Sequence, residues 1–172
     1  MPVRWTALIV FMFCTIVAAQ EHKSFRLAPG LRIDLIACEP QVISPVASAF
    51  DEHGRLWVVE MPDYPIGPAP GELPRGRVKV LDDRDGDGVY ATATVFEDRL
   101  LFANGILPWA GGAIVTAAPQ ILILHTDGRR EVLFEGFAAG NPQLRASFPV
   151  LGIDGKVTVA NGLRGGEIRR VG

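Results

Sequence analysis

Hydrophobic residues along this chain fall into short runs that are separated by turns rich in aspartate, glycine and proline. The clearest example is Val46–Phe50 followed by Leu56–Glu60, with the turn Asp51–Gly54 between them. Short apolar runs joined by such turns are typical of antiparallel strands. The pattern therefore predicts an all-β fold with a β-hairpin near its start.

The same strand motif returns twice further along the chain. GRLWVVE from Gly54 matches GAIVTAA from Gly112 and GKVTVAN from Gly155. The last two copies are spaced by about 40 to 45 residues, a period that indicates the blades of a β-propeller. The first interval is longer because it contains a proline-rich insertion, Met61–Gly76. We therefore predict a partial β-propeller of four-stranded antiparallel blades.

The predicted propeller covers residues 46–172 and follows an N-terminal segment, 20–45, in which Leu31–Ala37 is a candidate ring-closing strand. Its blades are predicted at about 46–98, 104–137 and 147–171. Their strands are predicted at 46–50, 56–60, 77–81 and 92–96; at 106–109, 113–117, 120–125 and 131–134; and at 148–153, 156–160 and 167–171. Propellers close with roughly four to eight blades, so about two and a half blades leave apolar faces open. We expect either a fragment of a longer gene product or a chain that self-associates.

The N-terminus has the pattern of an export signal. Arg4 is followed by the apolar run Trp5–Val17, and Val17-Ala18-Ala19 offers small residues at a cleavage site. We predict a signal peptide at residues 1–19 and an exported chain, periplasmic or extracellular, with no membrane span after cleavage. An uncleaved membrane anchor is the alternative.

Composition narrows the function. The net charge is −2 and the lysines and arginines are scattered, which excludes a nucleic-acid footprint. The three histidines are dispersed, without metal-ligand spacing. No nucleophile elbow, Walker loop or dinucleotide fingerprint occurs.

One acidic stretch is a candidate calcium loop. Asp83, Asp85 and Asp87 stand at positions 1, 3 and 5 of a loop with Gly88 at position 6, a spacing that brings three carboxylates onto one hard cation. The twelfth position is Thr94 where an EF-hand has glutamate. A solvated β-turn without metal explains the same residues equally well.

Several long motifs resemble a known family, the membrane-bound dehydrogenase domain of large exported proteins in planctomycete-type bacteria. That domain is similar to the six-bladed propeller of soluble quinoprotein glucose and sorbosone dehydrogenases. The likeness covers roughly Phe25 to Gly166 and is carried by VISPVASAFDEHGRLWVVEMPDYPIG, GRVKVLDDRDGDG, NGILPWAGGAIVTAAPQILIL and EVLFEGFAAGNPQLR. The resemblance implies oxidation of a sugar or alcohol hydroxyl, with pyrroloquinoline quinone and calcium as cofactors and a cytochrome c as electron partner in the full-length proteins.

Two positions depart from that family. In the quinoprotein relatives, a histidine acts as general base on the sugar hydroxyl, and the family pattern places it in a Gly-Asn-x-Gln-His-Arg segment. Here the segment is GNPQLR, so the histidine position is Leu144, which cannot accept a proton. Leu163 stands where the family has aspartate. We therefore expect no dehydrogenase activity from this chain alone, and no catalytic residue is assigned.

Six residues are candidates for cofactor or ligand binding. Asn141, Arg145 and Asn161 belong to the loops that match the family's central face, and Arg145 is suited to an anion or a carbonyl oxygen. Glu60, Asp63 and Tyr64 begin the long insertion, which is a candidate wall of the site because binding residues concentrate in loops. The structural alternatives are turn capping for Asn141 and Arg145, and a rigid cover over the blade edge for the insertion.

The alternative to an oxidoreductase is a noncatalytic, calcium-stabilised propeller that binds a glycan or a protein partner.

Overall fold

The computed structural model describes residues 25–172, so the predicted signal peptide lies outside the described residues. The fold is all-β, with a single 3₁₀ turn at Pro142–Leu144 and no α-helix in the described part. Within residues 25–172, no helix is long and apolar enough to span a lipid bilayer.

The strands are β1 Pro45–Phe50, β2 Leu56–Glu60, β3 Gly76–Asp82, β4 Thr92–Leu100, β5 Gly105–Trp109, β6 Gly112–Ala117, β7 Gln120–Leu124, β8 Arg130–Phe137, β9 Ser147–Leu151, β10 Val157–Ala160 and β11 Gly166–Arg170.

These strands form three antiparallel sheets. The first has the order β1-β2-β3-β4, the second β11-β8-β7-β6-β5, and the third pairs β9 with β10. Every observed strand overlaps a strand predicted from the apolar runs, and β2 has the predicted bounds. The prediction of an all-β fold with antiparallel sheets is therefore confirmed.

The main core lies between the first and second sheets. Every residue of β2 and every residue of β6 is buried, because each of these strands is covered on both faces. Trp57 anchors the core, and its ring meets Phe96 edge-on at a centroid distance of 4.7 Å. The buried members of the cluster come from both sheets: Trp57, Val59, Val78, Leu100, Ala103, Ile106, Ala113, Val115, Ala117, Leu122 and Leu124.

Two predicted strand placements are wrong. Leu31–Ala37 forms no strand; it runs over the surface, and Leu31 is exposed. Its alternating pattern gives it a strand-like face, but a strand also needs a paired edge. The segment is held instead by single contacts, such as the hydrogen bond from the Tyr90 amide to the Ile36 carbonyl at 2.9 Å.

The second difference concerns β11, which was predicted in the third blade but pairs with β8 of the second sheet. Gly136 and Gly166 allow this pairing, because a Cβ atom at either position would collide with the backbone of the other strand. The Arg169 Nε atom also donates to Glu135 Oε1 at 2.7 Å across the pair. The added strand covers the edge of β8, which would otherwise be open to pairing.

The connections between strands lie at two opposite ends, because successive strands run in opposite directions. We call loop end the side that carries connections 61–75, 101–104, 118–119, 138–146 and 161–165, and turn end the side that carries 51–55, 83–91, 110–111, 125–129 and 152–156. Contacts between connections of different sheets, described below, show that the ends coincide from sheet to sheet.

Candidate ligand site at the loop end

The insertion after β2 is an ordered loop that is held closed by Asp63. This buried carboxylate accepts the Arg75 amide at 2.6 Å and the Arg75 Nε atom at 2.7 Å, which ties one end of the insertion to the other. Burial alone would raise the pKa of Asp63, but the hydrogen bonds and the charge of Arg75 outweigh it and hold that pKa below its usual value. Asp63 is therefore engaged within the protein.

Glu60 is likewise engaged by protein groups. It is fully buried at the end of β2, where Oε2 accepts Arg77 Nε at 2.5 Å and Oε1 lies 2.9 Å from Lys79 Nζ. Oε1 also accepts the Ile43 amide at 2.8 Å. Glu60 and Asp63, two candidates for ligand binding, thus stand in structural ion pairs that fix the N-terminal segment and the insertion.

The Phe102 ring joins the insertion to the loop that follows β8. A Cβ atom at Gly67 would lie 2.8 Å from Cζ of Phe102, so the backbone of the insertion packs against the edge of the ring. The guanidinium of Arg145 lies over the ring, with Cζ 3.7 Å from the ring centroid. An arginine over an aromatic face is a cation–π contact, which is stronger when it is shielded from water.

Arg145 is buried, being 7% exposed, and has an unusual set of partners. Its Nε atom donates to the Ala139 carbonyl at 2.8 Å. No carboxylate within residues 25–172 forms an ion pair with it. Burial lowers the pKa of Arg145, yet an arginine remains protonated at neutral pH. The loop end therefore holds a buried positive charge.

The remaining candidates surround this arginine in different ways. Asn141 caps the 3₁₀ turn, accepting the Gln143 amide at 2.9 Å, so it shapes the loop. Asn161 is exposed, and its neighbour Gly162 packs against the backbone of Leu144 and Arg145. Tyr64 is also exposed, at 45%. The structure thus brings Arg145 and the Asn161 loop together, while Tyr64 lies in the insertion whose Gly67 packs against Phe102.

Sequence reasoning missed Phe102 and Gly67, which position Arg145. Gly67 ends the family motif that begins at Val42, but that motif does not mark it as a contact of Phe102, and Phe102 belongs to no motif because a lone aromatic residue in a turn has no distinguishing pattern. The backbone supplies the signal that the sequence lacks: Phe102 has a φ of 52°, in the left-handed region that bulky residues rarely adopt. Such strain concentrates at functional sites.

The acidic loop lies at the turn end, opposite Arg145. Carboxylate oxygens of Asp83, Asp85 and Asp87 all lie within 4.8 Å of one another. Asp83 also accepts the amides of Gly86 and Gly88 at 2.9 and 3.0 Å, which closes the loop. Three carboxylates fit a hard cation, but Thr94 is paired within the β3–β4 ladder and supplies no bidentate ligand. The fit to calcium is therefore partial.

A cleft of about 430 Å³ also opens at the turn end, between the first sheet and the β7–β8 turn. Its basic side chains each lie close to a carboxylate: Arg55 with Asp51, Arg84 with Asp82 and His125 with Glu131. The cleft therefore lacks the unpaired charge that distinguishes the loop end.

Comparison with known proteins gives one match. A family described as "Domain of unknown function (DUF7133)" matches residues 18–172. No curated protein and no solved structure matches the chain. Because the family match covers most of the sequence, this chain is a member of the DUF7133 family.

Proposed function

We propose that this chain is part of an exported β-propeller related to the quinoprotein sugar dehydrogenases, and that its loop end binds a small oxygen-rich ligand without oxidising it. The observation that carries the binding proposal is the buried guanidinium of Arg145, which has no carboxylate partner among the described residues. Isolated buried charges are costly, so proteins keep them where a ligand or partner uses them.

The packing of the sheets supports the propeller. The first strand of the second sheet, β5, contacts β1 of the first sheet and β9 of the third. First strands that lie side by side in successive sheets are what a propeller requires around its central channel. The long connections then gather at one end of that channel, where propellers commonly carry their sites.

Leu144 supports a noncatalytic role. It is the last residue of the Asn141-capped 3₁₀ turn and is adjacent to Arg145, at the position where the resembled family has its general base. Leu163, at the position of the family's aspartate, is 80% exposed. Because Glu60 and Asp63 are held in ion pairs as well, these residues do not fit the chemistry of a quinone dehydrogenase, and we derive no step through a quinone.

The binding proposal is tested by adding monosaccharides and sugar acids to the purified chain and following amide NMR shifts. We expect shifts that concentrate at the loop-end connections 61–75, 101–104 and 138–146. Shifts confined to the turn end would place binding elsewhere, and the absence of binding across the panel would refute the proposal.

A second candidate role concerns calcium, which would cross-link the three aspartates of the β3–β4 connection and stiffen the turn end. It would act on stability and not on the loop-end ligand, because the two places lie at opposite ends of the sheets. Its test is a thermal one and is described in the Discussion.

Export and self-association are further proposals. N-terminal sequencing of the chain recovered from a bacterial host would begin at Gln20 if the signal is cleaved after Ala19.

Self-association is supported by exposed apolar side chains on the third sheet, where Phe148, Val150 and Leu151 are about half exposed or more. Light scattering would then give a mass above that of one chain.

A further inference from the structure

We infer that Arg145 binds a carboxylate, so that the ligand of the loop end is an acidic sugar, such as a uronic acid, and not a neutral one. This inference rests on the proposed function, because it names the class of ligand for the same site.

The first argument concerns charge balance. The other buried charged residues of the described chain each have an oppositely charged partner: Glu60 has Arg77 and Lys79, and Asp63 has Arg75. Arg145 has a backbone carbonyl and an aromatic ring as its partners instead. A buried cation is stabilised most by an anion in direct contact, so the group that suits this place is negatively charged.

The second argument concerns the shape of the free part of the guanidinium. One face lies on Phe102, and Nε is used by the Ala139 carbonyl. The two Nη groups have no hydrogen-bond acceptor within residues 25–172. Every buried polar side-chain atom of these residues has a partner, so the Nη groups, which have none, must be exposed to solvent. Two parallel N–H donors at one planar edge match the two oxygens of a carboxylate.

The third argument excludes a more highly charged ligand. A phosphate dianion is best held by several cations, but Arg75 and Arg77, the neighbouring cations of the insertion, are neutralised by Asp63 and Glu60. One unpaired guanidinium balances one carboxylate. Tyr64, exposed in the same insertion as Gly67, offers a hydroxyl that suits the neutral hydroxyl groups of a sugar.

The test is calorimetric titration of the purified chain with D-glucuronate and, separately, with D-glucose. We expect glucuronate to bind at least about tenfold more tightly, since a charge-assisted pair contributes that much. Arg145→Gln should remove this preference while leaving the weak binding of glucose. Arg145→Lys, which keeps the charge but not the planar edge, should retain only part of it.

Arg129→Gln is the matched control, because Arg129 is an exposed arginine of the turn end that pairs with Asp127. It should bind both sugars as the unmodified chain does. If Arg145→Gln does not fold, ring-proton shifts of Phe102 in the unmodified chain replace it: they should reach half of their full change at a concentration of glucuronate about tenfold lower than of glucose.

The outcomes separate the two proposals. Equal binding of the two sugars, or a preference that survives in folded Arg145→Gln, would overturn the inference and leave the proposed function standing. Failure of the unmodified chain to bind either sugar would overturn both.

Discussion

The guanidinium carbon of Arg145 lies 3.7 Å from the centroid of the Phe102 ring. This contact joins the connection after the first sheet to the connection after β8, and Gly67 of the insertion packs against the edge of the ring at Cζ. The position of the buried charge therefore depends on three loops at once. A change in any of them is expected to alter ligand binding at the loop end.

Gly67→Ala should displace the Phe102 ring. Its added Cβ atom would stand 2.8 Å from the ring in a residue with a φ of 94°. Gly71→Ala is the control, since Gly71 has a similar φ of 85° in the same insertion and nothing within 4 Å. Both variants have the strain of a positive φ, but only Gly67→Ala adds a clash with the Phe102 ring, and because the partly exposed ring can shift we expect an additional loss in unfolding free energy of about 1 kcal/mol. Urea denaturation of the two variants measures the difference, and equal losses would contradict the contact between Gly67 and the ring.

Glu60→Gln should strongly destabilise the fold. It removes the negative charge between Arg77 and Lys79, and Lys79, only 7% exposed, is left without its counter-ion. Breaking a buried ion pair in this way costs about 3–5 kcal/mol. Glu135→Gln breaks the more exposed pair with Arg169 and should cost about 1 kcal/mol or less. Similar unfolding free energies for the two variants would show that Glu60 has no such role.

The free energy of unfolding should depend on pH through the titration of Asp63. Its pKa is lowered in the folded chain, because the hydrogen bonds from Arg75 outweigh the effect of burial. Its carboxylate therefore contributes stability that is fully present above the unfolded pKa of about 3.9 and is lost as the pH falls through the lower, folded pKa. Asp63→Asn lacks this titration, so the stability gap between it and the unmodified chain should narrow in acid. Parallel stability curves would exclude this account.

Calcium should raise the melting temperature if it binds at the turn end. With three carboxylates and no twelfth-position ligand, we expect binding only at millimolar calcium, as in weak extracellular sites. The stabilisation follows from binding to the folded chain alone. Asp83→Asn should abolish it and Asp98→Asn, outside the cluster, should not. Identical melting curves with and without calcium would leave the loop as an ordinary polar turn.

The strands could be predicted from the sequence because alternation and turn residues are local signals. Leu56–Glu60 and the turn around Gly128, with its φ of 82°, follow directly from such patterns. The failure at Leu31–Ala37 has a physical reason, since the pattern of a strand says nothing about whether an edge is free to pair with it. The partner of β11 was missed for the same reason, because Gly136 and Gly166 decide it through a close approach of two distant segments.

The candidate site was predictable only in part. The family resemblance pointed to Arg145, and the tendency of binding residues to lie in loops pointed to the insertion, but neither gave the roles of the side chains. Whether a carboxylate such as Glu60 faces a ligand or a buried lysine depends on packing between β2, β3 and the N-terminal segment, which the sequence does not reveal. Phe102 entered the site through a backbone conformation and not through a motif.

The measurement that tests the central claim most directly is quinone-dependent dye reduction by the purified chain, supplied with pyrroloquinoline quinone, calcium and a panel of sugars and sugar acids that includes glucuronate. We predict no turnover by the unmodified chain, because Leu144 cannot take the proton of a sugar hydroxyl. The variant Leu144→His, assayed beside it, supplies a proton acceptor at that position. Sugar-dependent turnover by the unmodified chain would contradict a noncatalytic binding role.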